Sequence, residues 1–176
     1  RGPAVTAVDI SNQRLSALQE NLARTGLNAD LVDADATQWR PENPVDAVLL
    51  DAPCTATGTI RRHPDIPRRR READIKNATA LQDRLLTAAV NMVAPGGTII
   101  YSVCSLEPEE GTARVDALLA SGAPVTLDPI SADDWPELEG LAPSAITPAG
   151  TLRTLPCHWS ERGGMDGFFA ARLIRN

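Results

Sequence analysis

Apolar positions along this chain alternate between two periods. The opening AVTAVD is β-branched and alternating, and predicts a strand over about 4–9. Leu15, Leu18 and Leu22 then recur at helical spacing through SNQRLSALQENLART. Ser11 can cap that helix, because its hydroxyl can accept a free first-turn N–H. Gly26 is placed to close its C-terminus. NADLVDAD predicts a short strand over 29–33. VDAVLLD, 45–51, is apolar almost throughout, as expected of a strand covered on both faces. ATALQDRLLTAAVNMVA predicts an amphipathic helix over 78–94, stopped by Pro95-Gly96-Gly97. TIIYSVC, 98–104, is the next strand, and Glu109 to about Ser121 a helix whose first-turn acids suit its dipole. TLRTLP and DGFFAARLI read as two final strands around the Gly-rich ERGGMDG.

Two stretches lack such a period. Residues 55–77 form a long, polar, Arg-rich connection, and loops of that length in a compact domain are usually functional or disordered. Residues 122–150 are rich in Pro, Ser, Asp and Gly and give no assignable pattern.

Strands that alternate with helices predict a parallel, doubly wound α/β sheet with right-handed crossovers. Ligands of such sheets bind at the carboxyl ends of the strands. That rule gathers Asp9, Asp35, Asp51, Cys54 and Cys104 along one sheet edge.

Composition narrows the class. The 176 residues suffice for one domain with a real core, and 43% hydrophobic content is ordinary for a globular protein. No apolar run approaches the roughly 18 residues of a membrane span, so no membrane partner is expected. The three cysteines are too few for a disulfide framework and lack metal-site spacing, which predicts no metal and a reducing, cytoplasmic setting. A net charge of −6 argues against nucleic acid as a partner. The local distribution argues the other way. Arg61, Arg62, Arg68, Arg69, Arg70 and Arg71 crowd one segment, either as a solvated charge run or as a phosphate footprint.

Chemistry concentrates in LLDAPCTATGTIRRHPD and IIYSVCS. Both apolar runs end in a cysteine, and the first also in Asp51. Pro53 has fixed φ and no N–H, so it stiffens the turn before Cys54. A single strand-end cysteine is most simply a small buried hydrophobe. Two on neighbouring strands, both at the ligand edge, point instead to thiolate chemistry. His63 and His158 are poorly placed as a base, which argues against a Cys-His protease, and Cys157 reads as structural. Asp9 can either hold a ribose's hydroxyls or help cap the adjacent helix. Asp35 can either meet a nucleoside's base or form a turn. A Gly-rich phosphate loop would precede Asp9 by about 20 residues, and the chain starts too late to contain one.

DAPCTATGTIRRHPD, PGGTIIYSVCSLEPEEG and the terminal GTLRTLPCHWSERGGMDGFFAARL resemble the Sun-type RNA cytosine-5 methyltransferases, nearest to the bacterial 16S ribosomal RNA branch. The resemblance implies a Rossmann-like sheet, S-adenosylmethionine as cofactor and ribosomal RNA as substrate. It implies that Cys104 attacks carbon 6 of a cytosine, that Cys54 assists breakdown of the adduct, and that Asp51 hydrogen-bonds the cytosine ring. Asp9 would hold the cofactor's ribose and Asp35 its adenine end, and Asp51 would also border the cofactor.

The resemblance also implies a first strand and a Gly-rich methionine loop ahead of Arg1, and an N-terminal RNA-binding region. Residues 1–176 would then be a catalytic domain truncated at its N-terminus. Its sheet would lack a middle strand, and cofactor would bind weakly or not at all. A different class of reading makes the fragment an inactive RNA-binding or assembly module. Covalent trapping of 5-fluorocytidine RNA discriminates between them. A small-molecule or protein methyltransferase would have no use for paired cysteines.

Overall fold

The computed structural model describes residues 4–134 and 140–176 of the chain. Residues 135–139, inside the unassigned 122–150 stretch, lie outside the description. The chain divides into two compact units, 1–42 and 43–176.

In the first unit, β1 (Thr6–Asp9) and β2 (Asp30–Asp33) pair in parallel, joined by α1 (Asn12–Thr25). The helix starts and stops where the sequence predicts. Ser11 Oγ accepts from the Arg14 N–H at 3.4 Å. Gly26 takes φ 68, a left-handed conformation that a Cβ would penalise, and returns its N–H to the helix.

The second unit holds a five-stranded sheet. β3 (Val45–Asp51) and β4 (Val93–Val103) are parallel neighbours. They are connected through α2 (Ile66–Arg69) and the long α3 (Glu72–Met92). After β4 come α4 (Thr112–Ala120), β5 (Val125–Leu127), the short α5 (Ala142–Ala145), β6 (Leu152–Thr154) and β7 (Phe168–Arg175). β7 lies between β4 and β5 and runs antiparallel to both; β6 pairs with its N-terminal half. The architecture is mixed α/β, with a two-stranded parallel sheet in the first unit and the five-stranded mixed sheet in the second.

The core forms where the two periods meet. Leu86, Ala89, Val90 and Val93 line one face of α3 and its exit. Ile99, Tyr101 and Val103 alternate along β4, and Phe169, Ala171 and Leu173 along β7. Val115 and Leu118 bring α4 onto the same cluster. Arg114 pairs with Asp83 at 2.7 Å and ties α4 to α3.

Five expectations are corrected. β7 is antiparallel rather than parallel: a loop, not a helix, leads into it. β3 is not covered on both faces. Val45, Val48 and Leu50 pack against the core, while Leu49, which alternates onto the opposite face, is 75% exposed. α3 begins at Glu72, six positions before the predicted start. EADIKNA is good helix-forming sequence despite its polarity, with a Glu72–Lys76 pair at 2.8 Å. The helix ends at Met92, and Pro95-Gly96-Gly97 bulge out of β4 instead, with Gly96 at φ 80. α4 begins at Thr112 with no acid in its first turn; Glu109 and Glu110 precede it, and Glu110 turns inward.

Candidate active site

β3 ends at Asp51 and β4 at Val103, so Cys54 and Cys104 leave the same edge of two paired parallel strands. Their sulfurs are 3.5 Å apart. The Ala52 N–H donates to the Ser102 carbonyl at 2.9 Å and extends the ladder past β3, which fixes the two turns against each other. Ala56 has φ 60, a left-handed conformation that costs a non-glycine residue about 1–3 kcal/mol. That turn brings the Ala56 N–H onto the Cys54 sulfur.

The two thiols are electrostatically unequal. Cys54 is half-buried, and its contact with the Cys104 sulfur, then burial, push its thiol far above the ordinary range; the negative charge of Glu110 acts in the same direction. The same contact acts on Cys104 in the other direction and lowers its pKa to about 7, against the opposing effects of burial and the Asp51 carboxylate. Of the two sulfurs, Cys104 is the one whose surroundings favour the thiolate. Asp51, exposed at the end of β3, shares this edge.

Three loops interlock behind the sulfurs. A 3-10 turn at Thr57–Thr59 follows Cys54, and the Gly58 N–H donates to the Cys104 carbonyl at 3.0 Å. The Gly58 carbonyl accepts from Gly167 N–H at 2.8 Å. A Cβ on Gly58 would stand 1.9 Å from the Gly167 carbonyl oxygen, so only glycine fits this approach. Thr57 Oγ1 accepts from the Leu106 N–H at 2.9 Å. Arg153 donates to the Ser105 carbonyl at 2.7 Å from beneath, with its guanidinium over the Phe169 ring.

Glu110 is the residue that the sequence reading missed. It is fully buried, and its carboxylate accepts from the Thr55 N–H at 2.9 Å, the Thr55 and Ser105 hydroxyls, and Gln82 Nε2 at 3.2 Å. Gln82, also fully buried, donates to the Pro53 carbonyl at 2.9 Å and ties α3 to the Cys54 turn. An acid in LEPEEG reads as helix-leading; only the tertiary path of the loop turns it inward.

The arginines divide. Arg62 pairs with Asp166 at 2.5 Å, and Arg61 lies 3.7 Å from the same carboxylate and donates to the Gly163 carbonyl. Arg62 holds the Asp166 carboxyl below the usual range. Arg70 donates to the Thr55 carbonyl at 3.0 Å, and Arg69 pairs with Asp65 at 3.1 Å. Arg71 starts α3, its N–H donating to Asp74 at 2.8 Å. Arg68 and Arg71 are exposed, and the Arg68 guanidinium has no partner among the described residues. Cys157 is free and exposed.

Asp9 and Asp35 belong to the first unit. Asp9 ends β1 and accepts from the Ser11 N–H at 2.7 Å and from Arg14 at 2.7 and 2.8 Å, which lowers its pKa. Asp35 follows β2 and accepts from the Thr37 N–H at 2.8 Å, closing a turn. Both thus have the local roles that the sequence left open.

Residues 2–174 match the family model described as 16S rRNA methyltransferase RsmB/F. The chain is 40% identical over 174 residues to the ribosomal RNA small subunit methyltransferase B of Salmonella arizonae, covering 97% of this chain and 36% of that protein. It spans about a third of the length of the curated relatives it matches. Among solved structures, PH0851 superposes with a TM-score of 0.82 at 32% identity, over 98% of this chain and 37% of that one. NSun6 from Pyrococcus horikoshii, solved with SFG, superposes with a TM-score of 0.76 at 27% identity, over 98% and 41%. The paired strand-end cysteines and the sheet that carries them are those of a chain that belongs to the RsmB/F family of 16S rRNA methyltransferases.

Proposed function

We propose that the protein transfers a methyl group to carbon 5 of a cytosine in small-subunit ribosomal RNA, through a covalent adduct of Cys104 at carbon 6. The observation that carries this reading is the 3.5 Å thiol pair at the ends of two paired parallel strands, supported by the opposite shifts of the two thiols, Cys54 up and Cys104 down. The thiolate adds its electron pair to carbon 6, and the ring takes up the displaced electrons. Asp51 hydrogen-bonds the ring and acts as general acid for it. Carbon 5 becomes nucleophilic and takes the methyl group. Its proton then passes to water, the electrons of that bond re-form the carbon 5–carbon 6 double bond, and the Cys104–carbon bond breaks so that the thiolate departs, with Cys54 assisting this release. A base in structured RNA must be swung out of its stack to reach Cys104.

S-adenosylmethionine would supply the methyl group as an electrophilic sulfonium. The first unit's residues fit such a cofactor: Asp9 and Asp35 put carboxylates at or just after the ends of β1 and β2. Asp9 would take ribose hydroxyls in exchange for Arg14, whose side chain is 67% exposed and free to swing away. Asp35 would serve the adenine end. NSun6 was solved with SFG, an S-adenosylmethionine analogue, which supports the assignment. Residues 1–176 alone should hold the cofactor weakly, because these carboxylates supply only part of a site.

The test is methyl transfer from labelled S-adenosylmethionine by the intact protein to small-subunit RNA, with base analysis of the product. Label in 5-methylcytosine is the expected result. Label on another base, or on protein alone, would overturn the reading.

A further inference from the structure

The reaction above leaves Glu110 unused, although it stands between the two cysteine loops. Thr55 immediately follows Cys54 and Ser105 immediately follows Cys104. Oε1 of Glu110 accepts from the Thr55 N–H and Gln82 Nε2; Oε2 accepts from both the Thr55 and Ser105 hydroxyls. Its backbone carbonyl accepts from Tyr101 OH at 2.6 Å, so β4, which leads to Cys104, is tied to the same residue. These partners are neutral donors. A buried carboxylate without a cationic partner is expensive, and apolar packing would suit the fold alone better. The cost is matched by reach: no apolar side chain could hold both loops by directional hydrogen bonds.

We propose that Glu110 is a positioning residue, whose carboxylate clamps the Thr55 loop to the Ser105 loop and so sets the separation of the Cys54 and Cys104 thiols. Its consequence for turnover rests on the reading of that pair as the methyl-transfer centre; the clamp itself does not. The charge of Glu110 also favours the protonated form of Cys54.

The test is the rate at which Cys54 and Cys104 close a disulfide in the intact protein, in a Cys157→Ser background. Diamide is the oxidant: it takes two electrons and two protons from the thiol pair and becomes a hydrazine. Closure is read as the loss of two hydrogens in the intact mass. Measurements are made well below each variant's melting temperature. Glu110→Ala should slow closure on the order of tenfold or more, since misplacement of about 1 Å can cost that much. Thr55→Val and Ser105→Ala, each missing one arm, should slow it less. Glu110→Gln should recover part of the rate, because the amide keeps the size and one acceptor. In methylation, kcat should fall while KM for RNA holds.

Variants that melt earlier but close the disulfide at the wild-type rate would overturn the clamp and leave Glu110 a stabilising residue only. If Glu110→Ala does not fold, the two single-arm variants decide by the same rate. A protein that closes the disulfide as predicted but methylates no RNA would sustain the clamp and sink the methyl-transfer reading instead.

Discussion

Arg70 Nε donates to the carbonyl of Thr55 at 3.0 Å, so one arginine of the basic segment faces inward and holds the residue beside Cys54. Its neighbour Arg68 points to solvent without a partner among the described residues. The segment therefore combines a structural strap with groups available to phosphates.

Arg68→Ala with Arg71→Ala should weaken RNA binding and flatten its salt dependence. Each lost phosphate contact removes a slope of roughly 0.7 for a single strand, or about 1.4 for the pair. The chemical step on saturating RNA should change little. Arg70→Ala should act differently, lowering the rate at saturating RNA while the slope is nearly kept. Binding isotherms at several salt concentrations, paired with single-turnover rates, separate the two classes. An unchanged slope in the double variant would return both arginines to the solvated charge run.

The thiol pair makes a pH prediction. The contact with Cys54 lowers Cys104 to about 7 from the ordinary 9.0. Alkylation of Cys104 requires its thiolate, so its rate should rise with pH and reach half its plateau near pH 7. Cys54→Ala removes that contact, and the midpoint should move upward. Iodoacetamide rates followed by peptide mass across pH 5–10 check this. A midpoint that stays put in the variant would show that Cys54 does not set the acidity of Cys104.

Gly58→Ala tests the loop interlock. The added Cβ would meet the Gly167 carbonyl, which belongs to backbone and cannot swing aside. Overpacking of this kind costs about 1–3 kcal/mol, and the Gly58 N–H would be pulled off the Cys104 carbonyl. A fall in the urea midpoint with slower alkylation of Cys104 is expected. Wild-type values for both would mean the loops separate easily.

Much of this site was legible in the sequence, because its parts sit at ends of periodic segments. An apolar run closed by Asp51 and Cys54, and another closed by Cys104, needed only the parallel-strand rule to be brought together. The cap residues Ser11 and Gly26 were legible for the same local reason. Glu110 and Gln82 were not: burial of a polar side chain depends on where a loop travels, and neither position departs from the pattern of a polar helix face or helix entry. The direction of β7 was hidden too, since a strand's own sequence does not encode which way its neighbours run. The early start of α3 was masked by polar residues that form helices as readily as loops.

In the proposed reaction Cys104 attacks while Cys54 releases. RNA carrying 5-fluorocytidine at the target, incubated with the intact protein and S-adenosylmethionine, should form a denaturation-resistant complex, because fluorine at carbon 5 blocks the proton loss that frees the enzyme. Digestion and peptide mass should locate the crosslink on Cys104. Cys54→Ala should accumulate a complex even with ordinary RNA, and Cys104→Ala should form none. A crosslink on Cys54, or a complex that survives Cys104→Ala and vanishes in Cys54→Ala, would reverse the two roles.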